Sequence, residues 1–167
     1  MKQLIRILLL LWCLALCTGV NVSAKDGPRT VVGLVTGVVD GDTLYLMIDG
    51  KSVRARLAQI DAPERGQAYG RRAEQALREM VWKREVTATW RENDRNGRPI
   101  VQIIEGSVDV NAAMVERGMA WVYTQYSRDP KLRALENEAR QAKRGLWADA
   151  NPVAPWEWRR ANKKSKP

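Results

Sequence analysis

Three strand-like runs follow one another almost end to end near the start of this chain, and they restrict its fold more than any other feature. Thr30 to Val39, Asp42 to Ile48 and Lys51 to Ile60 are rich in β-branched and apolar residues. Asp49-Gly50-Lys51, between the second and third, reads as a tight hairpin turn. In the second run Leu44, Leu46 and Ile48 share one face, and Asp42 falls on the same parity. A carboxylate in line with core residues is not tolerated deep inside without a partner. It belongs where the core face opens, at the mouth of a barrel or the end of a sheet.

The rest of the chain adds helices to these strands. Tyr69, Ala73, Ala76, Leu77, Met80 and Val81 follow helical spacing and predict an amphipathic helix over Gly70 to Trp82. Glu85 to Glu92 and Pro99 to Glu105 are two more strand candidates, joined through the Asn96-Gly97 turn signal. Asp109 to Arg117 reads as a short apolar helix ended by Gly118. Asp129-Pro130 offers an N-cap and a first-position proline for a third helix carrying Leu132, Leu135, Ala139 and Ala142, stopped by Gly145. The pattern predicts an α+β domain, a five-stranded OB-type β-barrel with three helices.

The two ends have a different composition. Residues 1–24 read as a signal peptide: Lys2 and Arg6 give a positive start, Ile7 to Leu16 an apolar core, and Val22-Ser23-Ala24 a cleavage site. A retained anchor, or a lipoprotein site at Cys17, are the alternatives, but the apolar run is short for a bilayer and Leu16 is bulky for lipidation. The expected product, 25–167, is exported to the periplasm or secreted, without stable membrane association, and shows no oligomer signal, so a monomer is expected. Residues 25–150 form the predicted domain. Residues 151–167 are a basic tail with Trp156, Trp158 and three prolines; its tryptophans are expected to pack on the domain while its charges stay in water.

Charge and composition narrow the chemistry. Losing Lys2 and Arg6 takes the net charge from +9 to +7, and a basic exported domain attracts polyanions. Both cysteines, Cys13 and Cys17, lie in the leader, so the remaining chain depends on no disulfide. The chain has no histidine. That excludes Ser-His and Cys-His catalysis and histidine-ligated zinc. Proton chemistry falls to Asp, Glu, Lys or Tyr, and any metal to a hard cation held by oxygen.

The polar outliers then form a set: Asp40 and Asp42 in "DGDT", Arg56 in "RARL", Asp61 and Glu64 in "IDAPE", and Arg98 in "DRNGR". Each stands at or near the end of a strand-like run, where adjacent strands can converge on one rim. Carboxylates there suit Ca²⁺ or Mg²⁺, a further carboxylate suits activation of water, and two arginines suit a bidentate hold on phosphate. Taken singly each has a plainer reading, because Asp-Gly is a common turn and strand arginines usually make surface ion pairs. Arg56 and Asp61 also have opposite parity, so a bulge or the strand end has to reorient one of them.

In this order, "VVDGDTL", "RARLAQIDAPE", "YGRRAEQAL", "DRNGRP", "DVNAAMVERGMAWVY" and "EARQAKRGLW" resemble the staphylococcal nuclease (thermonuclease) family over about Leu34 to Trp147. The resemblance implies an OB barrel and Ca²⁺-dependent cleavage of DNA and RNA with little sequence preference. It implies that Asp42 and Asp61 ligate calcium with the Ala62 carbonyl, and that Asp40 supports the site. It implies Glu64 as general base or water-positioning group, and Arg56 and Arg98 on the scissile phosphate. Arg95 and Tyr126 are further candidates for substrate contact. Ala62 stands where the best-known member has threonine, Asn96 where it has tyrosine, and the link from Glu64 to Tyr69 is shorter. A non-catalytic OB-type nucleic-acid-binding module is the rival; retention of the acid and arginine set argues for the enzyme.

Overall fold

The computed structural model describes residues 27–164; the expected signal peptide lies outside them. Strand β1 (Arg29–Val38) is long and serves two neighbours. Its first half, Arg29 to Leu34, pairs antiparallel with β5 (Glu85–Trp90). Its second half, Leu34 to Val38, pairs with β2 (Thr43–Ile48) across a register shift between Val35 and Gly37. That irregularity bends the strand, as a bulge does, and lets it turn a barrel corner. β3 (Lys51–Leu57) follows β2 through a two-residue turn in which Asp49 (φ 48°) and Gly50 (φ 73°) both take the left-handed conformation that such hairpins require.

Closure comes from β6 (Ile100–Glu105), which pairs antiparallel with β5 and parallel with β3 through Arg56–Ile100 and Leu57–Val101. Five strands thus close on themselves in the order β3-β2-β1-β5-β6, with β7 (Val108–Asp109) added beside β6. Inward residues fill the interior, among them Val35, Leu44, Leu46, Ala55, Leu57, Val86, Val101 and Ile103. Two short strands, β4 (Ile60–Asp61) and β8 (Trp121–Val122), pair outside the barrel.

Helix α1 (Gly70–Val81) closes one side, burying Ala73, Ala76, Leu77, Met80 and Val81. α2 (Val110–Glu116) is capped by the Asp109 carboxylate, which accepts from the Ala112 N–H. α3 (Pro130–Gln141) is capped by Asp129 with proline at its start, the predicted arrangement. It ends earlier than predicted: Lys143 takes φ 51°, and Gly145 opens a short 3-10 turn (Gly145–Ala148) instead of stopping the helix. Among the described residues there is also a fourth helix, α4 (Pro155–Lys164), in the tail. None of the described helices is long and apolar enough to cross a membrane.

Candidate active site

Asp42 is not in a strand. β2 starts at Thr43, and Asp40, Gly41 and Asp42 form the bend from β1 into β2. Gly41 is required there by packing: a Cβ would stand 2.6 Å from the Ala73 methyl of α1 and 2.7 Å from that of Ala62. The bend therefore lies flat against α1 and turns the Asp42 carboxylate inward. The Asp42 N–H donates to Asp40 Oδ1 at 3.1 Å. Asp42 Oδ1 accepts from Thr43 Oγ1 (3.0 Å) and Arg56 Nη1 (2.8 Å), and Oδ2 accepts from the Ala62 N–H (3.0 Å).

The parity conflict between Arg56 and Asp61 is resolved after Leu57. The chain leaves β3 through Ala58 and Gln59, the latter at φ 65°, and re-enters extended structure at Ile60. The reversal brings Asp61 to the Arg56 side, where Arg56 Nη2 donates to Asp61 Oδ1 at 2.7 Å. Asn111 of α2 holds the turn, its amide donating to the Ala58 and Val101 carbonyls at 3.0 Å while its oxygen accepts from the Ile103 N–H at 3.1 Å. One guanidinium thus spans two carboxylates, of which Asp61 is 0% and Asp42 3% exposed.

Such burial has an electrostatic consequence. Loss of solvation pushes the Asp42 carboxyl up to about 7; Arg56 opposes this, while Asp40 and Asp61 add to it. Burial also disfavours the charged form of Arg56, but Asp42 and Asp61 outweigh it and the guanidinium is held more firmly protonated than usual. The cluster carries more negative charge than Arg56 alone offsets.

Glu64 stands three residues beyond Asp61, and its backbone is fixed from the helix side. A Cβ on Gly70 would collide with the Glu64 carbonyl oxygen, so only glycine lets α1 begin so close. The Glu64 carbonyl accepts from the Gln67 N–H (2.9 Å), and the Glu64 N–H donates to Gln67 Oε1 (3.1 Å). Gln67 Nε2 in turn donates to the Val153 carbonyl at 2.6 Å, which ties this loop to the tail.

Asp40, Asp42, Arg56, Ala62, Glu64 and Arg98 all line one groove of about 900 Å³, as do Arg95 and Tyr126. Every residue of the predicted set except fully buried Asp61, which sits just beneath, thus reaches this groove. Arg98 enters it engaged: its Nε and Nη2 bind Asp94 Oδ2 at 2.7 and 2.6 Å across the Asn96-Gly97 turn. Burial alone would raise the Asp94 carboxyl, but bonds from Arg98 and from the Arg98 and Asn96 N–H groups hold it below its ordinary value.

Sequence reasoning missed the tail's part. Trp156 packs on the domain as expected, its ring stacked on Tyr123 (5.4 Å, 2°) and edge-on to Trp121 (5.7 Å). Trp121 lies opposite Asp61 in the β4–β8 pair, so the stacking sets α4 beside the site. Arg159, one helical turn beyond Trp156, does not stay in water. It donates to both Asp61 oxygens (Nη1–Oδ1 3.1 Å, Nη2–Oδ2 2.7 Å) and to Glu64 Oε1 (2.7 Å). The aromatic and basic composition of the tail was the available signal, but nothing in it marked one arginine over its neighbours.

Among the described residues no group of three or more His, Cys, Asp or Glu side chains stands arranged to hold a metal ion. The donor chemistry nevertheless suits a hard divalent cation, since Asp42 and Asp61 offer carboxylate oxygens close enough to share one guanidinium. Asp42 Oδ1 is bonded to Arg56 and Oδ2 to the Ala62 N–H, while Asp61 is bonded to Arg56 and Arg159.

The family profile described as "Staphylococcal nuclease homologue" matches residues 54–149, more than half of the chain. The chain belongs to the staphylococcal nuclease family. Relatives agree. It is 50% identical over 128 residues to an "Uncharacterized endonuclease" of Escherichia coli O157:H7, covering 76% of this chain and 84% of that protein. It is 42% identical over 142 residues to a "Micrococcal nuclease" of Shigella flexneri, covering 78% and 82%. It is also 42% identical over 157 residues to "Protein ParB" of Escherichia coli, covering 87% and 89%. The family match holds Arg56, Asp61, Glu64 and Arg98 and ends before α4.

Proposed function

We propose that the protein is an exported, calcium-dependent nuclease that hydrolyses phosphodiester bonds in DNA and RNA with little sequence preference. The observation that carries this is the meeting of Asp42, Asp61 and Arg56 beneath a groove that Glu64 and Arg98 also line. Family membership and the named nucleases among its relatives support the reaction class. The leader-like start of the sequence supports export.

Asp42 and Asp61 would hold the calcium, with the Ala62 carbonyl as a third oxygen and Asp40 supporting the loop. When bound, the cation polarises the phosphoryl group and offsets its charge. Glu64 holds a water and takes its proton as the water oxygen bonds to phosphorus and one P–O ester bond breaks. Arg56 and Arg98 present planar forks to the non-bridging oxygens, which gain charge as water adds. For Arg98 this means exchanging Asp94 for phosphate, and for Arg56 exchanging Asp42 and Asp61 for it as those carboxylates turn to the cation. Arg95 and Tyr126, which also line the groove, would meet the neighbouring nucleotide.

The test is cleavage of single- and double-stranded DNA and of RNA by purified 25–167 in calcium and in chelator. Cleavage abolished by chelator and restored by calcium is expected; undiminished cleavage in chelator would refute the metal-assisted mechanism.

A further inference from the structure

Arg159 is bonded to the carboxylates of the site, and its bonds fall on two of its working groups. Both Asp61 oxygens are engaged by it, and Glu64 Oε1 as well. In that state Asp61 has little left to offer a cation, and Glu64 is held to a guanidinium instead of a water. The contact is built, not incidental. α4 is fixed by Trp156 on Tyr123 and Trp121, by burial of Ala154 and Pro155, and by the Gln67 bond to the Val153 carbonyl. Residues three apart on a helix share a face, so docking Trp156 aims Arg159 at Asp61. The Arg159 side chain is 36% exposed. Its guanidinium can therefore swing into the groove it already lines while the rings stay stacked.

We propose that the C-terminal helix carries a built-in competitor for the divalent cation: Arg159 occupies Asp61 and Glu64 when the cation is absent and is displaced from them when it binds. This rests on the calcium reading of the site given above. Arg159 pairs with buried Asp61 and half-buried Glu64, and each cation that enters must break a bidentate, charge-assisted contact. The apparent cation affinity is lowered accordingly, and Glu64 is freed only in the cation-loaded state. α4 lies beyond the residues that the family profile matches.

The experiment reads cation binding without substrate. Calcium is titrated calorimetrically into full-length wild type, Arg159→Gln, Arg159→Lys and Arg160→Gln. Arg160, the exposed neighbour on α4, controls for charge alone. Arg159→Gln should bind calcium about tenfold more tightly, the scale of a lost charge-assisted contact. Arg159→Lys should gain less, since an ammonium keeps an ion pair but not the fork. Arg160→Gln should stay within about twofold of wild type, because exposed charges are screened. In wild type, the ¹⁵N signal of the Arg159 guanidinium should shift as calcium is added; this reading needs no variant to fold. Equal affinity in wild type and Arg159→Gln, or an Arg159 signal unmoved by saturating calcium, would overturn the proposal alone. Binding of calcium by neither form would overturn the calcium reading and the proposal with it.

Discussion

Asp42 and Arg56 are held by the barrel and Asp61 by the β4–β8 pair beside it, whereas Arg159 reaches Asp61 and Glu64 from a helix held by stacked rings. The first group stands on β3, on the bend before β2 and on β4, with backbone bonds on every side. Arg159 depends on Trp156, Tyr123 and Trp121, and on one bond from Gln67. Chemistry that must be correct to a fraction of an ångström is placed on the element that is hardest to deform. A group that has to leave stands on a half-buried side chain whose guanidinium can move without its helix.

The largest effect should come from breaking the barrel-held half. Arg56→Lys keeps a charge but loses the fork that spans Asp42 and Asp61. Turnover should fall on the order of 10²–10³, the scale of one lost transition-state donor, with KM changed little. A rise in KM at unchanged kcat would make Arg56 a docking residue.

Breaking the ring-held half should be milder and local. Trp156→Ala should cost about 1–3 kcal/mol, from lost stacking and apolar burial. Amide exchange should quicken in α4 while β1, β2 and β5 keep their protection. Equal loss of protection in the barrel would show that the two halves are one cooperative unit and end the comparison.

These halves were unequally legible in the sequence. The Asp49-Gly50 hairpin, the Asn96-Gly97 turn and the Asp129-Pro130 cap rest on strong local rules, and they lie where those rules put them. The carboxylates and Arg56 were visible because charge in apolar runs needs a reason. The reversal at Gln59 was not, since glutamine is no usual left-handed residue and its φ of 65° is imposed by the pairing of β4 with β8 and by Asn111. α4 was missed because three prolines and a basic run argue for a loop, while its helix is stabilised by tertiary stacking that no local pattern encodes.

A smaller effect sharpens the boundary between fixed and movable groups. Asp94 and Arg98 are half-buried at the two ends of an exposed turn, and Asp94 has its carboxyl held below its ordinary value. A depressed carboxyl stabilises the fold above its unfolded value and loses that contribution as pH falls through the folded one. Asp94→Asn should therefore destabilise by under about 1 kcal/mol near neutrality, given solvent screening. The difference from wild type should fade below the ordinary carboxylate range. A difference that grows on acidification would contradict the assignment.

The central claim, that Glu64 works on the proton of the attacking water above a barrel-held cation site, is tested most directly by one side-by-side measurement. Turnover and DNA affinity are determined in calcium for wild type and Glu64→Gln, which keeps size and polarity but cannot take the proton. The account predicts that kcat falls on the order of 10²–10⁴ while affinity, set by the basic surface, stays or rises. Wild-type turnover in the glutamine variant would remove Glu64 from the mechanism, and absence of calcium-dependent turnover in wild type would leave a binding module in place of the enzyme.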